Sequence, residues 1–330
     1  MMATTELTRP STRPAASKRP AGGRGRLARL GRSLRRDKLL YLILVPGLIH
    51  LVVFKFAPVG ALVIAFQQYS PFQGISGSSW VGLDQFHRFL TDPAVLKLVK
   101  NTVILAFGTL LFSFPVPIVF ALFLNEVRTK WLKKSVQTLS FVPYFISSAV
   151  LVSILYTLLS PQGGLVNKVI EAFGGHSVFF FAEPGWFRPL YVGMSVWQTF
   201  GYGTIIYIAA MASISPALYE AAQIDGAGRW KQMWHVTLPS IRPMMIVMLI
   251  LAIGQVLTVD LDKILLMYNP SVYETADVIQ TYVYRQAFAS RGFPNYSYGA
   301  AVGLIQGVIA LVMVVTANRA AKKVNDSGLF

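Results

Sequence analysis

The sequence predicts an all-α membrane protein with six transmembrane helices. Six long apolar runs, a low charged fraction and a one-sided placement of Lys and Arg predict it. The chain is 54% hydrophobic and 13% charged, whereas soluble domains carry about 25% charged residues. A span needs roughly 20 mostly apolar residues, because ~30 Å of hydrocarbon is crossed at ~1.5 Å per residue. Runs that qualify lie at about 39–64, 101–124, 136–159, 188–212, 243–267 and 298–317.

Ahead of the first run lies a basic tail. Eleven Lys and Arg fall in residues 1–38, among Pro10, Pro14, Pro20, Gly22, Gly23, Gly25 and Gly31. With no apolar period before Leu27, residues 1–25 read as disordered and 1–35 as a disordered basic cytosolic tail. A net charge of +16 would also suit nucleic acid. Its concentration before a span points instead to anionic membrane lipids, and no nucleic-acid partner is expected. The long first run without a small-residue cleavage pattern argues against a signal peptide.

Residues 36–99 form a first transmembrane helix and an outer segment, and 100–318 hold the other five spans. Residues 319–330 form a cytosolic C-terminal tail. Lys55 interrupts the first run; its ammonium is expected to snorkel to the outer interface, with a kink at Pro58. His50 reads as a packed or snorkelling residue. Twenty-one Lys and Arg fall on the side of the two termini and the 125–135 and 213–242 loops, against eight on the other. By the positive-inside rule both termini are cytosolic. Pro115, Pro117, Pro143 and Pro161 bend spans or mark their ends. The outer segments 67–98, 161–187 and 268–297 are rich in aromatics, some of which suit the interfacial belt. Within them, 277–285 has helical spacing and reads either as a partner-receiving helix or as a plain amphipathic connector.

The most telling stretch lies between the fourth and fifth runs. Ser215-Pro216 is a helix start, with Ser able to accept from free amides and Pro suited to the first position. Gly226 supplies a helix end, because Gly enters the left-handed region at little cost. A second helix is expected over about 229–236, with Trp230, Met233 and Trp234 on one apolar face and Leu238-Pro239 as its stop. Two helices meeting at a glycine make a compact knuckle. Ala221 and Ala222 keep one face small enough for another backbone to approach. Glu220 and Asp225 either cap helix ends or pair with a partner's Arg. From the residues alone, the loop is either solvated or a docking element.

The run from Glu220 to Pro243 resembles the EAA loop of ABC importer permeases. Glu220, Ala221, Ala222, Asp225, Gly226, Ala227, Trp230, Leu238, Pro239 and Pro243 fit that family's pattern. Met233 stands where many members carry an aromatic, and Trp234 is the candidate for that role. The stretches FKFAPVGALVIAFQQYSPF, VWQTFGYGTIIYIAAMASISPALYEAA, DVIQTYVYR and KKVNDSGLF look like the oligosaccharide, maltose-permease-like branch, and the resemblance spans about 36–330.

The resemblance implies a type I ABC importer permease fold with short cytosolic coupling helices, in a bacterial cytoplasmic membrane. It implies a subunit that forms half of an oligosaccharide path. Its partners would be a second permease subunit, two copies of an ATP-binding subunit and an extracytoplasmic solute-binding protein. In the family the 215–240 loop inserts into a cleft of the ATPase, so Glu220 would pair with a basic residue there. ATP and Mg would sit on that partner, and this chain would bind no cofactor.

The remaining chemistry agrees. The chain has no Cys and four scattered His, hence no evident metal cluster. No Gly-Lys dipeptide occurs, so the phosphate-cradling loop is missing and the chain is not its own ATPase. No catalytic residues are assigned. Asp260-Leu261-Asp262 is a DxD triplet, and Asn295-Tyr-Ser297 fits a glycosylation acceptor; both patterns arise often by chance. A membrane-embedded glycosyltransferase would need carboxylates facing its donor, and an ion-coupled carrier would need no ATPase; these are the alternatives. Candidate substrate-path residues are Trp197, Gln198, Tyr202, Gln255, Asp260 and Gln306, with Thr199 and Thr258 beside them. Aromatic faces suit sugar C–H surfaces and amides suit hydroxyls. Each of these could instead glue helices together.

Overall fold

The computed structural model describes residues 38–288 and 294–325. The tail expected at 1–35, the final residues 326–330 and Arg291 lie outside that range. Two units divide after Ala61. The first holds an α-helix over Lys38–Leu51, a wide π turn over Val52–Phe56 and a short helix over Ala57–Ala61, with no buried residue in any of them. Lys55 lies exposed in the wide turn. The Ala57 N–H donates five residues back to the Val52 carbonyl, immediately before Pro58. This wide closure gives the proline ring room that an ordinary turn lacks.

The second unit begins with a 3₁₀ turn, Leu62–Phe66, and a two-residue antiparallel ribbon that pairs Gln67 with Trp80. Four helical runs among the described residues are long and apolar enough to cross a membrane: Lys38–Phe66, Val95–Glu126, Arg229–Gln255 and Tyr296–Lys323. Two bent pairs bring the number to six if each counts as one span: Lys130–Phe145 with Ser148–Leu159, and Pro184–Ala212 with Pro216–Ile224, the latter bent by 72° so that Pro216–Ile224 turns away from the line of Pro184–Ala212. We number the six spans in chain order.

Three boundaries differ from the sequence reading. The run 136–159 is not one straight span, because its two helices meet at 104°. Ser147 caps the second of them by accepting from the Val150 N–H. Span five does not start at 243 and end at 267. It runs from Arg229 to Gln255, breaks before Asp260, and a separate helix follows over Leu261–Met267. Span six continues through Arg319, Lys322 and Lys323 to Asn325, so the tail expected from 319 begins as helix.

Three apolar clusters hold the second unit together. On the knuckle side, Ile118, Ala121, Leu122, Tyr207, Met211, Met233 and Ile241 join spans two, four and five. A larger cluster packs Leu105, Leu151, Phe180, Phe181, Phe187, Met194, Ile264 and Val278. A third sets Phe89 and Leu98 against Ile279, Tyr298 and Val302. Much remaining apolar surface is exposed, as expected where lipid replaces water as the solvent.

Polar groups fix the segments between the spans. Buried Asn167 donates to the Leu159, Ser160 and Val178 carbonyls and accepts from the Val178 N–H. The segment 277–285 closes on itself rather than standing free. Arg285 forms a bidentate pair with Asp277 at 2.8 and 2.9 Å, joined by the Tyr268 and Thr281 hydroxyls. Its helix, Ile279–Ala287, packs on span six. Burial opposes the charge on Asp277, but Arg285, Thr281 and Tyr268 outweigh it and hold the carboxyl below its ordinary value. Asn101 extends the network, donating to the Glu274 and Asp277 carbonyls and accepting from Arg188.

Candidate functional site

The knuckle is built from two arms. The first is the helix Pro216–Ile224, which starts with Pro216 at its first position. Ser215 precedes it but its hydroxyl caps nothing; its carbonyl instead accepts from the Leu218 N–H at 3.1 Å. The helix ends on Gly226, whose φ is +75°. The Ala227 N–H bonds the Ala222 carbonyl at 2.8 Å and the Gly226 N–H bonds Gln223 at 3.0 Å. This is the paired closure that a left-handed glycine permits after a helix. Asp225 supplies the backbone cap, as its N–H bonds the Ala221 carbonyl.

The second arm does not stop at Leu238-Pro239. Helix Arg229–Gln232 passes into a π turn, Met233–Thr237, and then into the helix Leu238–Gln255. The Leu238 N–H donates five residues back to Met233. Pro239 follows as an early residue of the new helix, so the wide turn carries the ladder past it. The expected apolar face is also split. Met233 is 6% exposed in the knuckle-side core, while Trp230 and Trp234 are 64% and 59% exposed. Of the three, Met233 alone faces inward, and Thr237 at the far end of the wide turn is buried with it.

Three contacts fix the arms. The Tyr219 and Thr237 hydroxyls share a hydrogen bond of 2.9 Å. Gln232 donates to the Ala227 carbonyl at 2.7 Å. Trp230 stands edge-on to Phe123 of span two at 6.1 Å, beside an exposed Arg229–Glu126 pair at 4.0 Å. That ion pair contributes little stability at such exposure, but it puts the end of span two on the knuckle side. Glu220, Ala221 and Gln223 are exposed, Ala222 is half-buried, and no residue of the first arm is buried. Leu218 and Ile224 add exposed apolar surface, Ile224 at 87%. Such a surface, on a backbone held by a tight glycine turn, suits insertion into a complementary cleft.

Residues 113–325 match the family described as binding-protein-dependent transport system inner membrane component. The chain belongs to that family. It is 45% identical over 297 residues to the polygalacturonan/rhamnogalacturonan transport system permease protein YteP of Bacillus subtilis (strain 168), covering 90% of this chain and 92% of that protein. It is 43% identical over 298 residues to protein LplB of the same organism, covering 90% and 93%. Among solved structures, a bacterial ABC transporter involved in the import of the acidic polysaccharide alginate superposes with a TM-score of 0.80 at 40% identity. It covers 90% of this chain and 99% of that one. The alginate transporter in complex with an alginate pentasaccharide-bound periplasmic protein gives 0.81 at 39% identity, covering 91% and 100%. The chain is thus a multi-pass membrane component of a binding-protein-dependent transport system, with the fold of an importer permease.

Among the described residues, the substrate-path candidates of this transport component make separate contacts. Trp197 lines a groove of about 750 Å³ with Phe112, Phe120, Phe200 and, at one end, Arg188. Gln198 donates to the Ile146 carbonyl at 2.7 Å, satisfying backbone freed by the 104° bend. Tyr202 stacks on Tyr144 at 4.5 Å. Gln255 is exposed at the end of its helix. Asp260 caps the Leu261–Met267 helix, accepts weakly from Ser148, and pairs with buried Lys263 at 3.1 Å. The buried amide nitrogen of Gln306 has no partner among the described residues. Gln198 and Asp260 therefore mark the breaks in spans three and five. The sequence does not single out Tyr144, which stands beside a tertiary bend, or Lys263, which reads as one of the eight charges on the side away from the termini. Among the described residues no group of His, Asp and Glu could hold a metal ion.

Proposed function

We propose that this chain is one transmembrane half of an ATP-driven importer for acidic, uronate-bearing oligosaccharides. The observation that carries the reading is the knuckle, a closed, exposed, two-armed element within the residues that match the transport family. It supports docking into a cytosolic ATPase, with Glu220, Ala221, Ala222, Asp225, Gly226, Ala227, Trp230 and Trp234 at the contact. Leu238 and Pro239 carry the arm into span five. The relatives' names support the substrate class, since both polygalacturonan and alginate are acidic polymers. The carboxylates of such a substrate would distinguish it from neutral sugars of equal length.

In this reading the chain is not catalytic and binds no cofactor; ATP and Mg reside on two copies of the ATPase. A second permease subunit completes the path, and an extracytoplasmic binding protein delivers the sugar. Both termini face the cytosol in a bacterial cytoplasmic membrane. ATP closes the ATPase dimer, the knuckle moves with it, and the permease pair opens toward the loaded binding protein. Hydrolysis returns the pair to the inward-facing state. Substrate shifts this equilibrium only through its differential affinity for the two states.

The test is co-purification from native membranes with the chain tagged, followed by ATPase and uptake measurements. The expected result is a bound ATPase stimulated by the loaded binding protein, and uptake competed by uronate oligomers but not by neutral ones. Glu220→Lys should abolish uptake while the chain reaches the membrane in normal amount. Normal uptake by that variant removes the docking assignment.

A further inference from the structure

We infer that the hydrogen bond between Tyr219 and Thr237 is the link that transmits movement of the first arm to the membrane-spanning body, which makes both hydroxyls positioning groups for transport. The inference rests on the importer reading above. The first arm, Pro216–Ile224, buries nothing of its own. Its peptide connections run through the Ser213–Ser215 turn at one end and the Gly226 closure at the other. Among the described residues, the Tyr219–Thr237 bond is the side-chain hydrogen bond that ties it to another element. Tyr219 directly precedes Glu220, so the ring leaves the helix beside the surface assigned to the ATPase.

Thr237 is placed to receive that load. It is 2% exposed and ends the π turn that fuses the second arm to span five without a break. Four residues earlier in the same turn, Met233 sits in the core with Ile118, Leu122, Tyr207 and Met211 of spans two and four. A displacement of the first arm along the Tyr219 side chain therefore reaches a buried point on a rigid helix. Without the bond, the arm could pivot about the glycine turn while span five stayed still.

The experiment uses the tagged full chain in its native complex, with Tyr219→Phe, Thr237→Val, Thr237→Ser and the Phe/Val double variant. ATPase bound per chain, ATPase rate and sugar uptake per ATP are measured together. Tyr219→Phe and Thr237→Val should each bind the normal amount of ATPase yet lower uptake per ATP at least fivefold. The double variant should be no worse than either single one, since both remove the same bond. Thr237→Ser keeps a hydroxyl and should stay within twofold of wild type. Unchanged uptake per ATP in both single variants overturns the inference. Losses that multiply in the double variant overturn it as well, as does loss of bound ATPase, which would place Tyr219 in docking rather than transmission. A wild-type complex that lacks ATPase altogether sinks the importer reading itself, a result distinct from all of these.

Discussion

A β-carbon at Gly201 would lie 2.0 Å from the Ser140 carbonyl oxygen and 2.9 Å from the Phe141 nitrogen. Both are backbone atoms and cannot rotate away. Span four therefore meets the end of the Lys130–Phe141 helix closely only because position 201 lacks a side chain. Gly201→Ala should destabilise the folded chain by about 1–3 kcal/mol or more, seen as a lower unfolding temperature in detergent. Gly226 is different, since a β-carbon there meets nothing within 4 Å and the constraint is its φ of +75°. Gly226→Ala should cost about 1–2 kcal/mol of local backbone strain, leave global unfolding almost unchanged, and reduce the ATPase bound per chain. Asn167 gives a third residue-scale test. Its amide serves four backbone groups, and Asn167→Ala strands buried donors and acceptors worth about 1–3 kcal/mol each. Faster hydrogen exchange across 159–178 is the expected readout.

At the scale of elements, the helix Ile279–Ala287 carries a pH dependence. The carboxyl of Asp277 titrates below its ordinary value of 3.8 in the folded chain. Its pairing therefore stabilises fully above that value and is lost as the pH falls through the lower, folded-state one. The protection of this helix's amides, taken relative to their intrinsic exchange rate at each pH, should hold from neutrality down to about pH 4 and fall below it, and Asp277→Asn should show low protection already at pH 7. Legibility in the sequence also divides by element. Spans whose apolar runs stand between loops, such as Pro184–Ala212 and Tyr296–Asn325, can be read from hydropathy. The glycine closure at 226 is legible too, because its cause is local. Span five was misplaced because a proline ordinarily ends a ladder, and nothing in local composition announces a π turn that carries the helix past it. The bend in span three was hidden for a related reason. The amide that satisfies its freed carbonyl, Gln198, lies 52 residues away.

For the whole molecule, all three apolar clusters draw on residues beyond Ala61, and no residue from Lys38 to Ala61 is buried. A chain beginning at Leu62 should therefore keep a cooperative unfolding transition in detergent, within a few degrees of the full chain by differential scanning fluorimetry. Collapse to an aggregate would show that the first unit supports the rest. The path residues were the least legible part of the site. Their polarity marks them as unusual within spans, but it does not reveal whether an amide faces a passing sugar or a neighbouring carbonyl. Gln198 serves a backbone break 52 residues away, which only the tertiary fold could show, whereas Asp260 caps the helix that directly follows it.

The π turn at Met233–Thr237 also governs how this chain is to be aligned with others. In an ordinary helix, eight residues leave Met233 and Ile241 about 80° apart around the axis. The extra residue absorbed by the wide turn takes out roughly 100° of that rotation, and both side chains enter the same cluster. A homologue one residue shorter here could keep its inward stripe only by dropping the bulge or shifting the whole arm. A single-residue gap at this point would then signal a lever set at a different phase rather than a sequencing slip.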